Sequence, residues 1–280
     1  MRGDAASDIG RAVYRVVVEY DGTDFAGMQF LPGMRTVSGE IERVLSRLFA
    51  EPIKISVAGR TDAGVHAIGQ VISFSAHDRF PIERLAIALN SNLPADVSAR
   101  DAARAEPRFS ARFHAIERRY TYVALNRRAP SAVLRRFAHH EYRSVDLERM
   151  RRAALTLIGE HEFRSFCGGP PETDSTIRTL HELIVEREGD LLRFHFRGSG
   201  FLRRMVRIIT GTLLEIGVGK IPLADLTGIL AARDRRLAGP TAPPEGLYLT
   251  GVRYPDFDSA PLEPHGLLGP RSGRSSSDRF

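Results

Sequence analysis

One short polar segment carries the residues of this chain that are best suited to chemistry. It reads Gly59-Arg60-Thr61-Asp62-Ala63-Gly64-Val65-His66 and lies between two predicted strands. Glycines let a backbone turn tightly and approach a ligand closely. An aspartate in such a loop can act as a nucleophile, a general base or a ligand anchor. The alternative is a turn aspartate that bonds only its own backbone, and His66 is given no role.

A second candidate segment reads Arg118-Arg119-Tyr120-Thr121-Tyr122. A strand would place Tyr120 and Tyr122 on one face and Arg119 on the other. An aromatic side chain there can stack on a nucleic-acid base, although strand tyrosines also pack in cores. The segment is therefore a candidate for RNA binding, with core packing as the alternative.

A third candidate segment is Phe201-Leu-Arg-Arg-Met-Val-Arg207. A helix would place Arg203 and Arg207 on one face, with Arg204 about 100° away. Such a face suits phosphate binding, and the alternative is a solvated helix flank.

Positive charge is concentrated in one stretch of the chain. The net charge is +6, and residues 112–152 hold eleven arginines and four acids, a local +7, so the remainder sums to −1. This distribution is expected of a face that meets phosphates. The alternative is a solvated arginine surface without a partner, in a chain whose arginine bias is typical of a GC-rich genome.

Several classes of protein are disfavoured. No run of about 18 apolar residues predicts a membrane span, and residues 1–11 lack the apolar segment of a secretory signal. Cys167 is the single cysteine, which excludes an internal disulfide or a cysteine-rich metal site. His139 and His140 are adjacent, so their side chains diverge in regular structure. We expect a cytoplasmic protein with no metal and no cofactor.

Strands and helices alternate in two similar blocks, which predicts an α+β fold of two α/β sandwich halves. The predicted helices include one from Ser38 as N-cap, one from Pro81, one capped by Asp146 and one over residues 201–216. The predicted organisation is a flexible segment (1–12), two halves (13–108 and 109–255) and a Pro-, Gly- and Ser-rich disordered tail (256–280).

The nine residues Ala58–His66 strongly resemble the catalytic motif of the TruA-type tRNA pseudouridine synthases. The resemblance covers roughly residues 13–255, and its further blocks follow in order: Glu19–Gly22, Arg35–Val37, Asn92–Pro94, Phe109–Phe113, Arg118–Tyr120, Met205–Arg207, Ala231–Arg235 and Glu245–Leu249.

The resemblance implies that Asp62 is the nucleophile, that Tyr120 is the active-site tyrosine, that Arg207 pairs with the aspartate and that Arg60 takes part in base flipping. It also implies two ferredoxin-like halves in one continuous mixed sheet with a basic central cleft. The family is a cofactor-free homodimer that isomerises uridines in the anticodon arm of tRNA. Four arginines are then candidates for substrate binding: Arg118, Arg119, Arg203 and Arg204.

One segment departs from the family pattern. Gly27-Met28-Gln29 stands where the family usually has Gly-Trp-Gln, Phe30–Met34 also differs, and Ser38 replaces a usual glutamine. We interpret this segment as facing RNA, so the chemistry is better determined than the substrate. There are two kinds of alternative. The substrate is another RNA or a free uridine nucleotide, or the protein binds RNA without catalysis.

Overall fold

Within the part of the chain that the structure describes, ten strands and five α-helices alternate in an α+β fold. The structure, a computed structural model, describes residues 10–78, 80–170, 174–261 and 266–268. The chain divides into unit 1 (residues 1–115 and 252–260) and unit 2 (residues 116–251 and 261–280).

Unit 1 has the βαββαβ order of a ferredoxin-like fold. Its strands lie in the order β4-β1-β3, with β2 paired to β3, and all of these pairs are antiparallel. The elements are β1 (Arg11–Tyr20), α1 (Val37–Phe49), β2 (Ser56–Val57), β3 (His66–His77), α2 (Ile82–Asn90) and β4 (Val97–Ala105).

The sequence explains why β1 is central in unit 1. Its run Val16-Val17-Val18 is buried, and Val17 lies opposite Val71 of β3 while Val16 lies opposite Ala102 of β4. A strand buried on both faces favours such a continuous β-branched run. The strand predicted over residues 53–57 is shorter than expected and comprises only β2.

The start of α1 corrects one expectation. Thr36, and not Ser38, is the N-cap, because its backbone is extended and its hydroxyl accepts a hydrogen bond from Gly39 N at 3.2 Å. This N-cap to N3 bond satisfies one of the unpaired amides at a helix start. Ser38 instead lies buried in the first turn.

Unit 2 repeats the ferredoxin-like order with two additional strands. Its strands lie in the order β10-β5-β9-β8-β7, and β6 pairs with β5 in parallel. The elements are β5 (Glu117–Asn126), β6 (His139–Glu141), α3 (Leu147–Thr156), β7 (Gly159–Glu162), β8 (Ile177–Glu188), β9 (Leu191–Gly198), α4 (Met205–Gly217), α5 (Asp225–Ala232) and β10 (Leu247–Arg253). The prediction of two similar ferredoxin-like halves is confirmed.

Helix α3 begins where the sequence predicts, because the Asp146 carboxylate accepts a hydrogen bond from Arg149 N. Helix α4 begins later than the sequence predicts. The predicted start is Phe201 and the observed start is Met205, because Arg204 adopts a left-handed conformation with φ 59°, outside the right-handed helical region. In addition, Gly168 N donates to the main-chain oxygen of Arg203, which holds this connection outside the helix.

The structure describes residues 256–261 and 266–268 of the predicted disordered tail, and part of this segment is packed. Ser259 is buried in unit 1, where its hydroxyl donates to Gly69 O and accepts from Val252 N. In unit 2, the guanidinium of Arg193 donates to Leu267 O. Residues 262–265 and 269–280 of this prediction, and residues 1–9 of the predicted flexible N-terminus, lie outside the described residues, whereas β1 begins at Arg11.

Candidate active site

In unit 1, Asp62 lies on the connection between β2 and β3. Its side chain is half-buried, and that of Arg60 is exposed. Val65 N donates to Asp62 O at 3.2 Å, which closes a tight turn, and Gly64 has φ +77°, a value that favours glycine. The loop therefore holds the half-buried Asp62 on a closed turn.

Hydrogen bonds from distant parts of the sequence hold this loop on both sides of Arg60. Met28 N donates to Thr61 O at 3.0 Å, and the Tyr20 hydroxyl lies 2.8 Å from the Thr61 hydroxyl. The Gln70 side-chain amide bonds both the main-chain oxygen and the nitrogen of Gly59, at 2.6 and 3.2 Å. A site on a loop gains precision when neighbouring groups lock its backbone in this way.

The turn Asp21-Gly22 is pressed against the other end of the loop. A Cβ added to Gly22 would lie 2.0 Å from Val65 O, so no other residue fits there without a backbone shift. Gly22 N also donates to Nδ1 of the buried His66, at 3.1 Å. His66, which was given no role from the sequence, thus helps to hold this turn in place. Because His66 is far from the Asp21-Gly22 turn in the sequence, no local sequence pattern predicted this contact.

Burial changes the electrostatics of the loop support. Burial raises the pKa of Tyr20 to about 12, although the hydrogen bonds to Thr61 and Gln70 act in the opposite direction and lower this pKa. Tyr20 is therefore an uncharged phenol at neutral pH, and its hydroxyl is available as a hydrogen-bond donor or acceptor.

The interpretation of Met28 and Ser38 as facing RNA is wrong. Met28 is 0% exposed, and Ser38 is buried beside it, with Ser38 N donating to Met28 O at 3.0 Å. Because Met28 N bonds Thr61 O, this departure from the family pattern lies behind the Asp62 loop, as part of its support. Gln29 and residues 30–34 are exposed, and they include the large apolar side chains of Phe30, Leu31 and Met34.

In unit 2, Tyr120 lies on β5 opposite Phe196 of β9. It is buried, and its ring meets that of Phe201 edge-on, with centroids 5.1 Å apart. Strand alternation places Arg118 on the same face, where its guanidinium donates to Ser199 O at 3.1 Å. Tyr120, Arg118 and the connection from β9 to α4 thus lie together in unit 2.

Arg119 has a different environment. Its guanidinium pairs with the buried Glu117 carboxylate at 3.0 Å, and Arg197 lies 3.4 Å from the other oxygen of Glu117. A buried carboxylate needs such partners. Arg119 therefore stabilises the buried charge of Glu117, in addition to any contact with RNA.

The expectation that Arg203 and Arg207 share one helical face is wrong, because α4 begins after Arg204. Arg203 and Arg204 are exposed on the connection that precedes the helix. Arg207 is in the first turn of α4, where its Nε donates to Ala242 O at 2.7 Å and its main-chain oxygen accepts from Ala242 N at 3.0 Å.

The side chain of Arg207 lies near two titratable groups of unit 2, the buried Tyr122 and the half-buried Glu245. Burial raises the pKa of the Tyr122 phenol well above its usual value and raises the pKa of the Glu245 carboxyl, while the charge of Arg207 opposes both shifts. Arg207 is therefore a cation held close to Tyr122 of β5 and to Glu245, which precedes β10.

Ion pairs in the folded protein neutralise part of the positive charge of the arginine-rich stretch 112–152. Arg127 lies 3.4 Å from Asp190, and Arg143 lies 2.9 Å from Glu215, two acids outside the stretch. Further arginines pair within it: Arg119 with Glu117, Arg149 with Asp146 and Arg151 with Glu148. The basic RNA-binding face stays a prediction.

Within the described residues, no helix combines the length and apolar character that crossing a bilayer requires. The same residues contain no group of three or more histidine, cysteine or acidic side chains arranged to hold a metal ion.

Comparison with known proteins places this geometry in a family. A sequence profile of the tRNA pseudouridine synthases matches residues 16–114 and 153–255. The tRNA pseudouridine synthase A of Halalkalibacterium halodurans is 47% identical over 82% of this chain and 88% of its own length. That of Bacillus subtilis is 43% identical over 86% of this chain and 98% of its own. A solved archaeal box H/ACA Nop10–Cbf5 complex covers 84% of this chain and 71% of its own at 13% identity and a TM-score of 0.30, a similarity too low to support an argument.

These matches define an isomerase, a pseudouridine synthase. The chain belongs to the tRNA pseudouridine synthase family, and the expected resemblance is confirmed. The alternative of a non-catalytic RNA-binding protein is thereby set aside.

Proposed function

We propose that this enzyme converts uridine to pseudouridine in the anticodon stem-loop of tRNA, with Asp62 as the nucleophile. The observation that carries the proposal is the family match, which includes the Asp62 loop and the segment around Arg207. The relatives named tRNA pseudouridine synthase A support tRNA as the substrate class. The hydrogen bonds that hold Thr61 support a loop built to position the next side chain.

The proposed reaction is an isomerisation in which every atom is retained. The bond between uracil N1 and the ribose C1′ breaks while the Asp62 carboxylate attacks or stabilises C1′. The uracil then rotates, and C5 forms the new bond to C1′ while the Asp62 carboxylate leaves C1′ with the electron pair of any bond it had formed. The proton on C5 leaves to solvent, and N1 gains a proton, so that no cofactor or co-reactant is needed.

The other candidate residues are assigned supporting roles. The ring of Tyr120 stacks on the uracil and takes part in removal of the C5 proton, and Arg207 supplies positive charge for the carboxylate form of the nucleophile. Arg60, which is exposed beside Asp62, replaces contacts that the extruded base loses. Phosphate binding is assigned to Arg118, Arg119, Arg203 and Arg204. The proposal includes a homodimer that works on tRNA in the cytoplasm.

Tritium release tests the nucleophile. With tRNA carrying uridine tritiated at C5, pseudouridine formation releases tritium to water. We expect the Asp62→Asn variant to lose at least about 10³-fold in rate, because an amide cannot form the covalent or ionic interaction with C1′.

Asp101→Asn is the matched control, because Asp101 is an exposed carboxylate of the same unit on β4, and it should retain the wild-type rate. Asp62→Asn activity above a tenth of the wild-type rate would contradict the nucleophile. Turnover of uridine monophosphate without turnover of tRNA would contradict the substrate class.

A further inference from the structure

Unit 1 exposes a small apolar surface close to the Asp62 loop. Phe30, Leu31 and Met34 are 49%, 44% and 58% exposed. In the described residues, no other window of five residues contains three exposed large apolar side chains. Single exposed apolar residues are normal, whereas clusters mark interaction sites. We call residues 30–34 the apolar turn.

The apolar turn is a defined structure. Met34 N donates to Leu31 O at 3.1 Å, and Gly33 has φ +75°. Pro32 and Gly33 therefore occupy the positions that these residue types favour in a type II turn. On either side of it, Ala26 N donates to Arg35 O at 2.9 Å and Val37 N donates to Gly27 O at 3.1 Å. A ligand would meet side chains whose backbone is already ordered, which reduces the entropic cost of binding.

The turn is joined to the catalytic loop through its first residues. Met28 N bonds Thr61 O at 3.0 Å, and a Cβ added to Gly27 would lie 3.3 Å from the main-chain carbon of Asp62. Phe30 follows Met28 by two residues, at most about 7 Å of extended chain. Stacked nucleotides follow one another at about 3.4 Å along a strand. The distance between Phe30 and the loop thus corresponds to a few nucleotides.

The surroundings of Phe30 suit a nucleotide. Lys54 Nζ lies 4.9 Å from the centroid of the Phe30 ring and 2.7 Å from a Glu42 oxygen, and the Lys54 side chain is mostly exposed. An exposed aromatic ring in basic surroundings is a feature with which proteins bind single-stranded nucleic acid, because the ring stacks on a base. Since Lys54 is paired with Glu42, the ring of Phe30 provides the principal contact.

We propose that the apolar turn is a stacking platform for an unstacked base of the RNA substrate, a few nucleotides from the uridine that reacts. The inference rests on the proposed function, which supplies an RNA whose target base has left its stack. Phe30 accepts the base, and Leu31 and Met34 cover its edges. Three half-exposed side chains are too few for a protein partner, since a stable interface buries about 800 Å² on each side.

Affinity for tRNA tests the platform. The dissociation constant of each variant is measured by filter binding at one fixed salt concentration. We expect Phe30→Ala to weaken binding about tenfold or more, in the range found for the loss of one base–aromatic stack. Phe30→Tyr keeps the ring and should bind like the wild type. Leu31→Ser combined with Met34→Ser should weaken binding by a smaller factor.

Ile87→Ala is the matched control, because Ile87 is 67% exposed on α2 of the same unit, and its affinity should equal that of the wild type. A Phe30→Ala affinity within twofold of the wild type overturns the platform. A second result would also overturn the platform: Phe30→Ala becomes monomeric in sedimentation while its affinity per tRNA site is unchanged. This result would assign the apolar turn to the contact between two copies of the chain. Wild-type protein that binds tRNA and releases no tritium overturns the proposed function alone, because the affinity comparison still decides the platform.

Discussion

At the scale of single residues, Thr61 is the point where the Asp62 loop is held. Its carbonyl oxygen accepts from Met28 N, and its hydroxyl meets the Tyr20 hydroxyl. The residue before Asp62 is thus bonded through both its main chain and its side chain. Preorganisation of this kind removes conformational freedom before substrate binds.

Tyr20→Phe tests that arrangement. Removing the hydroxyl should cost about 1 kcal/mol of stability, the usual worth of one hydrogen bond. It should also lower kcat several-fold with KM nearly unchanged, because Thr61 beside Asp62 loses a contact. The measurements are thermal unfolding and steady-state tritium release from tRNA.

Tyr14→Phe provides the comparison. Tyr14 is equally buried in unit 1, its hydroxyl donates to Asp78 at 3.0 Å, and burial likewise raises the pKa of its phenol to about 12. It should lose stability and keep kcat. Equal kcat losses in the two variants would show a general effect of stability and contradict a positioning role for Tyr20.

At the scale of elements, the chain over residues 238–242 packs against the N-terminal half of α4. A Cβ added to Gly211 would lie 1.9 Å from Pro240 O, so the two segments touch through their backbones. Ala242 exchanges two hydrogen bonds with Arg207. At the other end, the Arg235 guanidinium donates to Ala238 O, Gly239 O and the Thr241 hydroxyl. Arg235 therefore positions Arg207 through this segment.

Arg235→Met should separate positioning from binding. The segment loses three hydrogen bonds, Arg207 shifts, and kcat for tritium release should fall by about 10-fold to 10²-fold, the cost of a small misplacement in an active site. KM should change much less. Single-turnover and steady-state kinetics on tRNA would provide both values.

The neighbouring Arg236 is the control, because it is 88% exposed and pairs only with Asp234 in the described contacts. Arg236→Met should retain the wild-type kcat. A loss of tRNA affinity in Arg235→Met without a loss of kcat would assign Arg235 to binding and not to positioning.

At the scale of the whole molecule, pairing decides which arginines can bind phosphate. The chain carries +6 overall, and several cations of the 112–152 stretch contact acids. Arg203, in contrast, is exposed before α4 and has no ion pair among the contacts described for residues 10–268 outside the gaps. An arginine that already has an acidic partner releases fewer counterions when it meets RNA.

The salt dependence of tRNA binding measures this difference. The logarithm of affinity should fall linearly with the logarithm of salt concentration, and Arg203→Gln should reduce the slope by about 0.7 to 0.9, the value for one phosphate contact. Arg149→Gln, which removes an arginine paired with Asp146 at 3.1 Å, should leave the slope unchanged. Equal slopes for Arg203→Gln and the wild type would exclude Arg203 from phosphate binding.

Much of the protein could be predicted where the information is local. Turn residues, helix caps and alternating patterns predicted two α/β sandwich halves, the cap at Asp146 and the loop around Asp62, and the family resemblance added that the halves are ferredoxin-like. Local patterns gave the wrong helix start where a nearby residue could also act as the N-cap or could interrupt the helix. Thr36 took the cap expected of Ser38, and the left-handed Arg204 delayed the start of α4.

By itself, the sequence determined the order of elements, the family and the candidate chemistry, because each depends on residues close together in the chain. Only the tertiary structure decided what holds that chemistry in place. The bonds from Tyr20 and Met28 to Thr61, and the burial of Met28, join residues more than thirty positions apart. Spacing along a chain constrains only neighbours within a few turns or strand steps, whereas such long-range contacts exist only after the strands have paired.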